Sequence, residues 1–341
     1  MNEAFLSALE KNFGCHINGV KPRRNVLFVR TNRGNWVIKA YKDKEKAQWV
    51  TQLSHLLQEN GFSHTVSYLQ TEENGPVFPY GNHFYTIMKA IDGRESSYAF
   101  QDDIRQAALT LARFHRAARS WNPGLVQFRY KPPLIEKWET RLTEFTRIAE
   151  RIAARGPVNR LESMIQSMAP EVLRDSRQVL EQSYRMPLIA EMHQAIEEGT
   201  VAHRDVASHN FLLTPSGECY LIDLDTAHFD MQLVDLVQFV GRMLLLQGYQ
   251  PGIFTDVINA YSIVNPLQDN QIRMIHQLLR YPDNILREVT GVYSRRPGYR
   301  ARGAMQLLQL EGRYRRQRNH FLRAEHQVMG SWSNWTMGGT G

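Results

Sequence analysis

The chain reads as an α+β protein of two lobes, a small antiparallel sheet with one helix followed by a larger, mainly helical part. Three observations predict this. Short apolar runs punctuated by turn residues fill roughly the first 90 positions. Beyond Gly93 the apolar residues recur at helical spacing. Between them in character is residues 203–223, where the polar loop His203-Arg204-Asp205-Val206-Ala207-Ser208-His209-Asn210 leads into a tight hairpin that ends in Ile222-Asp223-Leu224-Asp225. With 341 residues the chain exceeds what one hydrophobic core usually serves. The expected division is a sheet lobe over 1–90, a helical lobe over 91–325, and a Gly, Ser, Thr and Trp tail without fixed structure over 326–341.

In chain order, Phe5, Leu6, Leu9 and Phe13 mark a short helix over 2–13. Strand-like runs follow at Cys15–Val20, Val26–Arg30 and Trp36–Tyr41, the last two joined by the turn Thr31-Asn32-Arg33-Gly34. Residues 42–60 form a helix that buries Ala47, Val50, Leu53, Leu56 and Leu57, and Asn60-Gly61 stops it. Strands near Val66–Gln70 and His83–Lys89 complete the sheet, and Ile91-Asp92-Gly93 ends it. Helices are then expected from Asp102 to Ala118, from Pro133 to Ala154 and onward toward Gly199, with Asn122-Pro123-Gly124 and Lys131-Pro132-Pro133 bracketing a loop. Phe211-Leu212-Leu213 and Cys219-Tyr220-Leu221-Ile222 form two short strands about the turn Pro215-Ser216-Gly217.

Bulk composition excludes several classes. The chain is 43% hydrophobic and 22% charged, as a globular protein is, and no stretch is long and apolar enough to span a membrane. The most apolar segment, Val234 to Leu246, is broken by Asp235, Gln238 and Arg242. The N-terminal residues lack a secretory pattern, and Cys15 and Cys219 fit neither a disulfide framework nor a zinc site, so a reducing cytoplasm is the expected location. Of the net charge of +7, the excess lies in one segment: residues 294–323 hold nine arginines and a single acid, leaving 32 basic and 33 acidic residues elsewhere. Such a stripe suits an anionic surface or acidic partner, the alternative being a solvated helix face with some ion pairs. No nucleic-acid-binding module is visible, so nucleic acid is not an expected partner.

The loop and hairpin at 203–223 carry the chemistry of phosphoryl transfer, which asks a protein mainly for positioning and charge neutralisation. The hairpin folds Asp223 back beside Asn210, so two oxygen ligands for Mg²⁺ come from opposite strand ends, and Asp205 is left to face a substrate hydroxyl. Asp225 is a second metal ligand or a brace for the loop. Lys39, on Trp36-Val37-Ile38-Lys39, can reach nucleotide phosphates as a point charge. The turn Lys21-Pro22-Arg23-Arg24-Asn25 has no glycine repeat to let backbone approach phosphates, and Arg23 or Arg24 offers side-chain charge there instead, unless it is simply a solvated hairpin tip. Glu45, at the start of the following helix, is the nearest candidate partner for Lys39 or only a favourable charge at a helix N-terminus. His203 and His115 read as structural groups near the loop, and Asp230 and Asp235 as helix-capping charges.

Together these residues resemble the aminoglycoside phosphotransferase and choline kinase superfamily, whose fold is protein-kinase-like. The resemblance runs from Lys39 through Ile91-Asp92-Gly93-Arg94-Glu95 and Leu111-Ala112-Arg113-Phe114-His115 to the 203–223 loop. Within that group the chain looks most like the bacterial spore-coat kinase-like proteins, from the Asn-Gly-Phe after the first long helix, the phrase Asp-Gly-Arg-Glu and the Ile-Asp-Leu-Asp ending. The resemblance implies ATP and Mg²⁺ as cofactors, Asp205 as base, Asn210 and Asp223 as metal ligands and Lys39 as a phosphate contact. It also implies a hydroxyl-bearing substrate and coat proteins or an anionic surface as partners, with the protein ending on the spore coat. Two departures accompany it: small-molecule kinases of this group usually carry Gly where Arg204 stands, and no helix Glu is evident for Lys39. A coat assembly protein with a kinase-like fold and little turnover is the alternative. The near balance of ten basic and eleven acidic residues over 131–200 does not select the charge of the substrate.

Overall fold

The computed structural model describes residues 3–23, 25–71, 75–121 and 131–324. The expected tail at 326–341, the Asn122-Pro123-Gly124 turn and Arg24 lie outside the described residues.

Helix α1 (Glu3–Phe13) precedes a five-stranded antiparallel sheet in the order β1-β2-β3-β5-β4. Its strands are β1 (Ile17–Arg23), β2 (Val26–Thr31), β3 (Gly34–Tyr41), β4 (Phe78–Tyr80) and β5 (His83–Lys89). Alternation along β3 sorts its side chains onto two faces. Trp36 and Ile38 pack under α1 with Phe5, Leu9, Phe13, Val29, Phe78 and Ile87. Lys39 and Tyr41 therefore share the opposite face, away from that core. The run at Val66–Gln70 is extended and not a regular strand. It bonds β5 through Leu69 N–H to Ile87 O (2.7 Å) and Lys89 N–H to Ser67 O (3.1 Å). The rest of that β5 edge is taken by β4, which shortens what the segment can pair.

Helix α2 (Lys44–Glu59) packs against β5 and β3 and reaches beyond the sheet as well. Asp43 caps it by accepting the Glu45 amide at 2.9 Å. Its apolar face, Ala47, Val50, Leu53 and Leu57, enters the large core of the helical part. Further bonds tie it there: Trp49 Nε1–H donates to Ala227 O at 2.8 Å and Asn60 Nδ2–H to Ala117 O at 2.7 Å.

The helical part opens with the two-residue strand β6 (Arg94–Glu95) and continues through α3 (Gln101–Ala117), α4 (Pro133–Arg155), α5 (Arg160–Ser183) and α6 (Leu188–Glu197). Gly93 is needed where the chain enters it, because a Cβ there would stand 2.9 Å from the Leu213 carbonyl oxygen. Four short strands, β7 (Val201–Ala202), β8 (Phe211–Leu213), β9 (Cys219–Leu221) and β10 (His228–Phe229), surround the polar loop. The predicted hairpin is present, with Phe211 opposite Leu221 and Leu213 opposite Cys219. Helices α7 (Leu233–Leu246), α8 (Pro251–Ser262), α9 (Asp269–Leu278), α10 (Asp283–Tyr293), α11 (Ala301–Arg313) and α12 (Arg315–Arg323) close the fold.

The arginine-rich segment is part of this core. Ala304, Leu308, Phe321 and Leu322 are buried, and Arg318 is buried with them, paired to Asp175 at 3.2 Å. Arg296 pairs with Glu144 (3.1 Å) and Arg315 with Glu171 (2.5 Å). Arg300, Arg302, Arg313, Arg316 and Arg323 remain exposed. Among the described residues, no helix is long and apolar enough to cross a membrane.

Candidate active site

The polar loop is held from behind by one buried carboxylate. Asp235, in the first turn of α7 and fully buried, accepts the amides of His203 (2.6 Å) and Arg204 (2.7 Å) and the Nε2–H of His115 (2.9 Å). His115 Nδ1 in turn accepts the Tyr261 hydroxyl at 2.6 Å, which fixes the tautomer as neutral with its proton on Nε2. Burial pushes the His115 pKa down. Burial also opposes the Asp235 charge, but the His115 hydrogen bond, the charges of His115 and His203 and the His203 amide together outweigh it and hold that carboxyl below the usual range. The expectation of a capping role for Asp235 therefore gives way: its carboxylate turns away from its own helix to satisfy amides that the tight loop leaves unpaired. His203 donates Nε2–H to Ile222 O at 3.0 Å, clamping the loop to the hairpin's exit, as a structural histidine would.

The clamp brings the predicted residues together. Asn210 is 2% exposed and donates Nδ2–H to the Asp205 carbonyl at 2.8 Å, which turns its Oδ1 the other way. Ile222 N–H bonds Asn210 O at 2.9 Å, placing Asp223 beside it. Asp223 adopts φ 63°, ψ 66°, a left-handed conformation that costs a non-glycine residue roughly 1–2 kcal/mol and aims its carboxylate back under the sheet. Asp205 presents a half-exposed carboxylate whose Oδ1 lies 3.3 Å from Arg242.

Across the cleft, Lys39 Nζ meets Asp223 Oδ1 at 2.7 Å and Asp225 Oδ2 at 2.8 Å. Burial would lower the Lys39 pKa, but the two carboxylates raise it above the ordinary value. Burial likewise opposes the Asp223 charge, and Lys39 more than offsets it, leaving that carboxyl depressed. Asp225 is also engaged on its other oxygen, by the Tyr41 hydroxyl at 2.8 Å. Glu45 is exposed on the first turn of α2, and the structure does not bring it to Lys39. Arg23 reaches Glu95 at 3.1 Å on the surface.

The oxygens that remain suit a hard divalent cation. Asn210 Oδ1 and the second oxygen of Asp223 are the amide and carboxylate donors Mg²⁺ prefers, with phosphate oxygens and water completing a shell. Asp225 suits it less, since both its oxygens already serve Lys39 and Tyr41.

Four participants were not singled out from sequence. Tyr41 follows Lys39 by two and so shares its strand face. Lys46, whose ammonium meets the Asp225 carbonyl, and Trp49 are three apart on one helix face. Arg242 sits with Asp235 and Gln238 on a polar stripe of an otherwise apolar helix, which was a legible signal that this face looks onto a site.

Residues 7–324 match the family described as "Spore coat putative kinase YutH". The chain belongs to that family. Its fold is kinase-like, with a small antiparallel sheet before a mainly helical part, and the same fold recurs in solved structures of low sequence identity. An aminoglycoside phosphotransferase from Alicyclobacillus acidocaldarius subsp. acidocaldarius DSM 446 is 19% identical, with a TM-score of 0.82 over 95% of this chain and 96% of that one. The spectinomycin phosphotransferase APH(9)-Ia, in complex with ADP and spectinomycin, is 13% identical with a TM-score of 0.64 over 96% and 99%. A choline kinase from Cryptosporidium parvum Iowa II is 12% identical with a TM-score of 0.51 over 98% and 97%.

Proposed function

We propose that the protein is a phosphotransferase that uses Mg·ATP to phosphorylate a hydroxyl group and acts at the spore coat. The observation that carries this reading is the convergence, on one cleft, of Lys39 from the sheet with Asp205, Asn210 and Asp223 from the helical part. The ADP bound in the similar spectinomycin phosphotransferase supports a nucleotide in that cleft.

In this mechanism Lys39 contacts the nucleotide phosphates, and Asn210 and Asp223 would hold the cation. Mg²⁺, when bound, neutralises the phosphate charge that builds up as the terminal phosphoryl group departs. Asp205 accepts the proton of the substrate hydroxyl as its oxygen bonds the γ-phosphorus and the bond to the β–γ bridging oxygen breaks, releasing ADP. Arg242 keeps the Asp205 carboxylate oriented toward the cleft. The test is ADP release by the full chain: Asp205→Asn is expected to remove it by 10²-fold or more while leaving Mg·ATP binding intact. Undiminished release in that variant would overturn the role of Asp205.

A further inference from the structure

The substrate side of the cleft carries a charge pattern that goes beyond this reading and rests on it. A cavity of about 360 Å³ opens beside the loop, lined by Lys46, Lys137, Arg204, Asp225, Asp230 and Gln238. Arg204 is the neighbour of the proposed base Asp205, and Asp225 lies two residues beyond Asp223, so the cavity adjoins the reacting groups. Its volume suits a small molecule.

The acids on its wall are already matched. Both oxygens of Asp225 are engaged by Lys39 and Tyr41. Asp230 is 1% exposed, accepts the Met231 amide at 2.9 Å and pairs with Arg204 Nε at 3.4 Å. The cations are less committed. Among the described residues, Lys46 meets only the Asp225 carbonyl, a neutral acceptor. Lys137 has no hydrogen bond or ion pair among the described residues. Loss of hydration in the cleft, with Arg141 next in effect, lowers its pKa to about 8, although its side chain still reaches solvent. The carboxylate that acts on it, Asp283, is itself paired with Arg141. The first turns of α4, at Pro133, and α7, at Val234, also line this cavity, each with an acid of its own, Glu136 and Asp235. Arg204 holds φ 66°, a conformation that costs an arginine but not a glycine, which marks its presence on the wall as worth the strain.

We infer that the hydroxyl-bearing substrate is an anion, an alcohol with a phosphate or carboxylate group that seats against Lys137, Lys46 and Arg204. An aminoglycoside or choline would instead place a cation against two ammonium groups, with no free carboxylate on the described wall to offset the repulsion.

Thermal-shift titrations of the full chain test this, with the nucleotide site filled by saturating Mg·ADP and repeated without it. The probes are inorganic phosphate, glycerol 3-phosphate and gluconate against choline and kanamycin. Glycerol 3-phosphate or gluconate is expected to stabilise saturably, the responding arm identifying phosphate or carboxylate, and neither cation is expected to do so. Lys137→Glu, a change at a solvent-reaching side chain, should weaken the anion roughly tenfold or more and leave the Mg·ADP shift unchanged. Stabilisation by choline or kanamycin, no response to any anion, or full anion affinity in Lys137→Glu overturns the inference. Absence of the Mg·ADP shift alone counts against the nucleotide reading, since the anion titration without nucleotide is read independently.

Discussion

Asp225 Oδ2 stands 2.8 Å from Lys39 Nζ and takes the position of counter-ion that the first long helix leaves unfilled. Tyr41, on the same strand face as Lys39, fastens the other oxygen of Asp225. The pair is local to the cleft, so Lys39 is ordered without any movement of α2. Asp225→Ala is therefore expected to weaken Mg·ATP binding by roughly 10–100-fold, the range of a lost charge-assisted hydrogen bond. Glu45→Ala should change it by less than about twofold, as an exposed charge does. Calorimetric titration of both variants checks the contrast.

Asp235 gathers three N–H donors in a fully buried site, and Asp235→Asn would turn one acceptor into a donor facing amides. A loss of about 3–5 kcal/mol is expected, as for a broken buried charge network. Urea unfolding measures it, and a change below about 1 kcal/mol would show that the loop is held by other means.

The same carboxylate gives a pH signature. The folded pKa values of Asp223 and Asp235 are depressed, so the stability they contribute is fully present above the unfolded aspartate value near ~3.9 and is lost as pH falls through their lower folded values. Lys39 has the opposite sign: its raised pKa contributes stability that is complete below about 10.4 and lost only as pH rises beyond the folded value. Urea midpoints should accordingly fall with acid below about pH 4, and Asp235→Asn should flatten that limb.

The arginine-rich segment divides into structural and exposed members. Arg318→Ala removes the buried one of two arginines paired with Asp175 and the donor to Arg280 O at 2.8 Å, and is expected to cost about 3 kcal/mol or more. Arg316→Ala, exposed on the same helix, should stay within about 0.5 kcal/mol. Thermal denaturation compares them. Deleting everything after Ser294 would remove buried Ala304, Leu308 and Phe321 and so tests folding before it tests recruitment.

Much of this was readable before any coordinates. Strand alternation at Trp36–Tyr41 set the strand face of Lys39, and the Pro215-Ser216-Gly217 turn returned Asp223 beside Asn210, because period and turn geometry are local properties. The pairing of Lys39 with Asp225 was not, since it joins residues far apart in sequence and depends on where the cleft closes. Nor was the role of Asp235: a carboxylate in a first helical turn normally caps its own helix, and only packing shows that it faces the loop's amides. The second extended run, Val66–Gln70, has the composition of a strand but shares its edge of β5 with Phe78–Tyr80. The sign of the substrate cavity was invisible because the balanced charges of 131–200 say nothing of which ones face inward.

The central claim is a nucleotide site built on Asp223, and a thermal-shift titration of Mg·ATP against the full chain and Asp223→Asn tests it most directly. Saturable stabilisation of the unaltered chain is expected, about 2.7 kcal/mol at a hundredfold excess over Kd, and it disappears in Asp223→Asn. An equal ligand-induced shift in both proteins, or none in the unaltered chain, would contradict it.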